Sequence, residues 1–285
     1  MAGGTRSADR RGERPEIPEP LPSPVVDNHC HLDIEVGDDF GVEQALARAT
    51  EVGVPRIVQI GCDLPGARWA VDTASRFPQI VAGVALHPNE APRLEAEGRL
   101  DEALAEISEL ARDDRVRAVG ETGLDYFRTD ESGRDAQHRS FRGHIELAHE
   151  LDRTLVIHDR DAHADVLAIL DEVGAPQRWV MHCFSGGPYF AEQCLERGAF
   201  LSFAGTVTFK NADELRAALR VTPTARMLVE TDAPYLTPMP YRGRPNASYL
   251  VPLTVRSMAQ TLGTDLAGLC AAIDANTDRA FGGAW

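Results

Sequence analysis

Eight short apolar runs, separated by stretches with helical spacing, set the pattern of this chain. They are Val25–Asp33, Arg56–Cys62, Ile80–Pro88, Val116–Leu124, Thr154–Asp161, Arg178–Ser185, Ala199–Gly205 and Arg226–Tyr235. Each is almost continuously apolar instead of alternating, as a strand covered on both faces by helices must be. The intervening segments change period: Phe141, Ile145, Ala148 and Leu151 fall on one helical face, with Arg139, Arg142 and Glu150 left for the wet side. Eight strand–helix units in one chain predict an α/β protein with a closed parallel (β/α)8 barrel of the TIM type. An open doubly wound sheet is the alternative, but no Gly-x-Gly-x-x-Gly follows the first strand, so that fold would lack its dinucleotide phosphate loop.

Ionisable residues inside these runs collect at one end. His29, His31, His87, Glu121, His158, His182 and Asp232 all stand at or near the C-terminal ends of their predicted strands, which in a barrel form the mouth that carries active sites. His29 and His31 are one residue apart, so in extended backbone both imidazoles face the same way and can share a cation. A solvated edge could also carry such a pair. Groups gathered at one mouth without partners would cost several kcal/mol, so they must bind an ion, pair or face solvent; a shared metal site accounts for all of them. By contrast, His138, His144, His149 and His163 lie in predicted helices and are expected to be exposed or held structurally.

The motifs around these residues resemble one family. They are His29-Cys30-His31-Leu32-Asp33, Leu86-His87-Pro88, Gly120-Glu121-Thr122-Gly123-Leu124-Asp125-Tyr126, Ile157-His158-Asp159-Arg160-Asp161-Ala162, His182-Cys183-Phe184-Ser185-Gly186 and Glu230-Thr231-Asp232-Ala233-Pro234-Tyr235. Their order and number, from about Val25 to the C-terminus, are similar to the TatD family of metal-dependent deoxyribonucleases, which belongs to the amidohydrolase-like metallo-barrels. The resemblance implies two divalent cations per chain. His29 and His31 would hold the first with Asp232, Glu121 would bridge both, and His158 and His182 would hold the second. Imidazole and carboxylate ligands suit Zn, Mn, Co or Fe, and Mg less readily.

Two cations about 3.5–4 Å apart acidify a bound water and offset charge on phosphoryl and leaving oxygens. Asp232 is then the candidate general base, with Glu121 the other catalytic carboxylate. A helix cap or a turn ahead of Pro234 is the structural alternative for Asp232. Candidate substrate contacts outside the ligand set are His87, Arg160, Lys210, Arg242 and Arg244, arginine being able to engage phosphate bidentately. Phe209-Lys210-Asn211 resembles the family's loop after the seventh strand, and Pro240-Tyr241-Arg242-Gly243-Arg244-Pro245-Asn246 the loop after the eighth. Where the family usually has an acidic residue shortly after that Asn, this chain carries Ala247 and Ser248.

Composition narrows the picture further. A length of 285 residues with 43% hydrophobic content suits one barrel and its core. Residues 1–23, rich in Arg, Glu, Pro and Gly, are expected to form a disordered tail, leaving 24–285 as the barrel. The tail has no signal-peptide run and no stretch is long enough to span a bilayer, so a cytoplasmic protein without membrane contact is expected. Cys30, Cys62, Cys183, Cys194 and Cys270 form no Cys-x-x-Cys pair, which fits free thiols and argues against a structural zinc made of cysteines. A net charge of -15 argues against a grip on long duplex DNA, whose affinity comes from phosphate neutralisation. The expected substrate is therefore DNA as single strands or short ends. A D-aminoacyl ester on tRNA, a small C–N substrate, or a metal-binding barrel without turnover remain open, although Glu121, where many amidohydrolases use a carbamylated lysine, speaks against the C–N hydrolases.

Overall fold

The computed structural model describes residues 12–37 and 39–285. Its eight parallel strands are β1 (Val26–Cys30), β2 (Arg56–Gly61), β3 (Ile80–Val84), β4 (Val116–Asp125), β5 (Thr154–Arg160), β6 (Trp179–Met181), β7 (Phe200–Phe203) and β8 (Met227–Val229), hydrogen-bonded in sequence order. Helices alternate with them: α1 (Val42–Glu51), α2 (Leu64–Arg76), α3 (Glu90–Ala96), α4 (Leu100–Leu110), α5 (Arg134–Glu150), α6 (His163–Val173), α7 (Pro188–Glu196), α8 (Asp213–Val221), α9 (Val251–Leu262) and α10 (Leu266–Ala280). This is the expected (β/α)8 barrel. The expected apolar face of α5 is buried through Phe141, Ile145 and Ala148. No helix among the described residues is long and apolar enough to cross a membrane.

The seam between β1 and β8 closes mainly through side chains. Asn28 Nδ2 donates to the Val229 carbonyl at 2.6 Å and to Ser202 Oγ at 2.7 Å. Asp27 accepts from the Thr231 amide at 2.9 Å and from Thr231 Oγ1 at 2.6 Å. Past the end of β8, Asp232 N donates to the His29 carbonyl and His31 N to the Ala233 carbonyl, at 2.9 and 2.8 Å. The chain therefore carries Asp232 directly beside the two histidines. Inside the barrel, Val58, Ile60, Val81, Ala118, Val156, Val180, Phe200 and Leu228 pack with Ala280 and Phe281 at the end of α10. With this apolar plug filling the interior, the polar residues are left at the opposite, C-terminal rim.

Strand ends differ from the apolar runs. β6 and β8 are shorter than expected, whereas β4 ends at Asp125, one residue past its expected run. Pairing slips between Asp27 and Cys30 on β1 and between Val119 and Thr122 on β4, which re-aims the side chains at both places. Gly123 makes the second irregularity possible: at φ 135°, a Cβ there would lie 2.1 Å from the His158 carbonyl oxygen. Only glycine lets β4 pass β5 this closely.

Residues 12–23 overturn the expectation of a disordered tail, while Met1–Arg11 lie outside the described residues. Leu21 is buried and its amide donates to the Val52 carbonyl at 3.0 Å. The Pro15 carbonyl accepts from Tyr249 Oη at 2.8 Å and that of Pro20 from Arg256 at 3.0 Å. Arg14 lies over the Phe40 ring at 3.8 Å and donates to the Asn246 carbonyl at 3.2 Å. Two apolar anchors and a series of backbone acceptors suffice to hold a proline-rich segment that is already extended, because little conformational freedom is left to lose.

Candidate metal centre

Glu121 is the hub of the rim. It is buried, and its two carboxylate oxygens face different sets of histidines. Oε1 lies 2.5 Å from His158 Nδ1, 3.0 Å from His182 Nε2 and 3.5 Å from His87 Nε2. Oε2 lies 3.5 Å from His29 Nε2 and 3.9 Å from His31 Nε2. Asp232 joins the second set, with Oδ1 3.3 Å from His31 Nε2 and 3.8 Å from His29 Nε2. All seven residues expected at the mouth are thus brought together.

Partners behind the rings fix which nitrogen faces the centre. His31 Nδ1 is 3.1 Å from the Ile60 carbonyl, so that nitrogen carries a proton and Nε2 is the one turned to the centre. His182 Nδ1 likewise donates to Glu230 Oε1 at 3.1 Å, a carboxylate that also accepts from the Cys183 amide at 2.9 Å. His87 is the reverse case. Its Nδ1 accepts from the Asn89 amide at 3.1 Å, leaving Nε2–H to point at the centre as a donor. Glu230 was quoted within a motif but given no role by sequence reasoning. Its place near the end of the eighth apolar run, two residues before Asp232, was the available signal.

Charges in this cluster hold one another. Burial works against the Glu121 carboxylate, yet His182, His87 and His158 together draw it well below the ordinary range. Burial equally opposes the charged form of His158, but Asp125 and Glu121 raise it to about 9. His29 moves the other way, pushed down by burial and by His182, whose ring stacks on it at 3.8 Å. Asp232 is kept low despite burial, chiefly by its hydrogen bond with His31. Asp232 and Cys183 both sit in left-handed backbone, at φ 54° and 43°, the sparsely populated geometry that gathers at functional sites.

A divalent cation suits this donor set. Both ring nitrogens of His29 and Nε2 of His158 are buried without a hydrogen-bond partner, although His158 Nε2 is 3.4 Å from Asp125 Oδ2. Buried nitrogens of this kind are costly unless something engages them. His29, His31 and Asp232 each offer a ligand atom within 4.8 Å of the others. Cys62 adds a thiol that donates to Glu121 Oε2 at 3.4 Å.

The helical histidines behave differently, as expected. His144 is buried, with Nδ1 donating to the Ser140 carbonyl at 2.7 Å and Nε2 accepting from the Leu86 amide at 3.2 Å. His138 meets Tyr126 Oη, His149 the Gly174 carbonyl, and His163 pairs with Asp159. The expected substrate contacts divide. Arg160 lies over the Phe127 ring at 3.8 Å and exposed Arg242 over Phe209 at 4.5 Å, both at the rim, and Lys210 is exposed on the loop after β7. Arg244 departs from expectation: its guanidinium donates to the Glu13 carbonyl at 2.7 Å and the Arg14 carbonyl at 2.5 Å, so the N-terminal segment has claimed its donors.

Comparison with known proteins agrees with this geometry. The family described as TatD related DNase matches residues 26–282. An uncharacterised metal-dependent hydrolase TatD of Mycobacterium tuberculosis is 40% identical over 266 residues, covering 92% of this chain and 99% of the relative. The 3'-5' ssDNA/RNA exonuclease TatD of Cronobacter sakazakii is 35% identical over 249 residues, covering 85% and 92%. Among solved structures, the TatD homologue YJJV of Escherichia coli superimposes with a TM-score of 0.82 at 27% identity, covering 90% of this chain and 98% of that one. With a histidine and carboxylate cluster at the rim of a (β/α)8 barrel and this match over nearly the whole chain, the protein belongs to the TatD-related DNase family of metal-dependent hydrolases.

Proposed function

We propose that this protein is a deoxyribonuclease that cleaves phosphodiester bonds at single-stranded or short DNA ends, using two divalent cations. One observation carries the reading: a single buried carboxylate, Glu121, has His158 and His182 on one oxygen and His29 and His31 on the other. Two cations held here would each have a separate imidazole pair, with Glu121 shared between them and Asp232 beside the first pair. When bound, such a pair acidifies a water and offsets charge on the phosphoryl and leaving oxygens.

The protein's own groups supply the rest. Asp232 is half-buried and held as a carboxylate by His31, so it can accept the proton released when water adds to phosphorus and return it to the departing oxygen. Glu230 and the Ile60 carbonyl keep His182 and His31 turned so that Nε2 faces the centre. Nε2–H of His87 is a donor for a non-bridging phosphoryl oxygen, and Arg160 and Arg242 are charged donors for flanking phosphates. The exonuclease name of the Cronobacter relative supports a nucleic-acid substrate.

Chelated protein, reloaded with Zn, Mn, Co or Mg and assayed on single-stranded DNA, duplex DNA, RNA, a D-aminoacyl-tRNA and a small phosphodiester, tests this reading. Metal-dependent shortening of single-stranded DNA, faster than duplex, is the expected result. Hydrolysis of the aminoacyl ester with no phosphodiester cleavage would replace it.

A further inference from the structure

Three aromatic side chains are exposed among the described residues, and all follow strands on the rim side: Phe127 after β4, Tyr189 at the start of α7, and Tyr235 after β8. Phe127 and Tyr235 are tied to the metal centre from opposite sides. The Tyr235 ring stands edge-on to His31, with centroids 6.3 Å apart, on the Oε2 side of Glu121. Phe127 belongs to the Oε1 side. It lies two residues beyond Asp125, whose Oδ2 is 3.4 Å from His158 Nε2, and Arg160, two residues beyond His158, covers one face of its ring.

Both rings project from clamped backbone. Tyr235 N donates to the Asp232 carbonyl at 2.8 Å and its own carbonyl accepts from Asn246 Nδ2 at 2.6 Å. On either side of Phe127, Tyr126 N donates to the Arg160 carbonyl and Arg128 N to Asp125 Oδ1, each at 2.9 Å. Phe127 is nevertheless 62% exposed and Tyr235 52%. Large apolar surface held rigidly in water beside a reaction centre is what a stacking platform requires, because a planar ligand then covers it without ordering the protein.

We propose that Phe127 and Tyr235 are two base-stacking plates on either side of the metal centre, which grip the scissile linkage through the nucleobases on its two flanks. This rests on the nuclease reading above and makes it narrower. A base can lie flat on an aromatic plate only when it has left a duplex stack, so the plates select single-stranded nucleic acid and are indifferent to which base they hold. Arg160, stacked under Phe127, adds positive charge next to the same base.

Four forms of the metal-loaded protein, the parent and the variants Phe127→Ala, Tyr235→Ala and Tyr189→Ala, would be compared on three single-stranded oligonucleotides. One oligonucleotide is intact, one is abasic on the 5′ side of the scissile linkage, and one is abasic on the 3′ side. Each abasic site should raise KM of the parent about fivefold or more, the lower range of base–aromatic stacking. Phe127→Ala should erase one of these two penalties and Tyr235→Ala the other, with Tyr189→Ala erasing neither. In parallel, 2-aminopurine at each flanking position of a phosphorothioate-protected strand should be quenched by the parent and lose that quenching in the matching variant. Abasic penalties that survive in both variants, or that Tyr189→Ala also erases, overturn the plates while leaving the nuclease reading intact. Paired quenching without cleavage of any oligonucleotide overturns the nuclease reading and keeps the plates as a binding device. Neither quenching nor penalty overturns the plates whatever the cleavage result.

Discussion

His29 and His144 are both fully buried histidines, yet they predict opposite behaviour. His29 has no hydrogen-bond partner on either nitrogen, whereas both nitrogens of His144 are engaged. His29→Ala or His182→Ala should therefore lose bound metal and activity together, measured by elemental analysis and rate. His144→Ala should keep its metal stoichiometry while losing roughly 1–3 kcal/mol from the Leu86 and Ser140 groups it leaves unpaired. Burial also pushes His144 down to about 4 from the usual 6.5. Because the unfolded chain then binds more protons between these values, the neutral ring stabilises the fold fully above pH 6.5. That contribution is lost as pH falls toward 4 and amounts to roughly 3 kcal/mol. Urea titrations across this range should show a slope in the parent that flattens in His144→Gln; equal slopes would remove the ring from the acid response. Asp232→Asn should lower kcat by more than the roughly 10²-fold of lost acid–base help, since a ligand weakens too. Near-parental kcat would exclude it as base.

At the scale of elements, the eight apolar runs announced the strands because a strand buried on both faces has few other ways to be written. Their ends were less legible. β6 stops at Met181 and β8 at Val229, well short of the apolar runs that end at Ser185 and Tyr235, whereas β4 ends at Asp125, one residue past its run. The histidine set was visible through its positions at strand ends, whereas Glu230 and Asp125 act by touching rings from other strands, which no local pattern encodes. Residues 12–23 were misread for a related reason. Composition reports how little apolar surface they have, but they are held through their carbonyls, by Arg244, Tyr249 and Arg256. Deleting the chain through Leu21 should thus lower the unfolding free energy by on the order of 2 kcal/mol or more, at about 0.5–1.5 kcal/mol per lost hydrogen bond. Tyr249→Phe, which removes the hydroxyl's bond to the Pro15 carbonyl, should account for about 1 kcal/mol of it. Arg244→Ala should follow the same pattern, lowering Tm with little change in KM for an oligonucleotide, whereas Arg242→Ala should raise KM. Unchanged stability in the truncated protein would show that these contacts contribute nothing in solution.

For the molecule as a whole, a net charge of -15 repels the polyanion that the rim is proposed to bind. Long-range attraction cannot deliver the substrate, so affinity has to come from short-range contacts at the mouth. Two arginines there are engaged only through a ring face among the described residues, Arg160 over Phe127 and Arg242 over Phe209. For single strands, the logarithm of the binding constant falls with the logarithm of salt at about 0.7 per neutralised phosphate. Two such arginines predict a slope between roughly −1 and −2, far shallower than a protein with a basic DNA-binding face would give. Measuring dissociation constants of a phosphorothioate-protected single strand at several salt concentrations, at matched metal occupancy, gives this slope directly. Arg160→Ala combined with Arg242→Ala should flatten it, leaving at most the share of exposed Lys210, and duplex DNA, which cannot offer unstacked bases, should bind weakly at every salt concentration. A slope steeper than about −4 would require phosphate contacts well beyond the rim. Substrate capture would then be an electrostatic property of the whole surface instead of a local one at the metal centre.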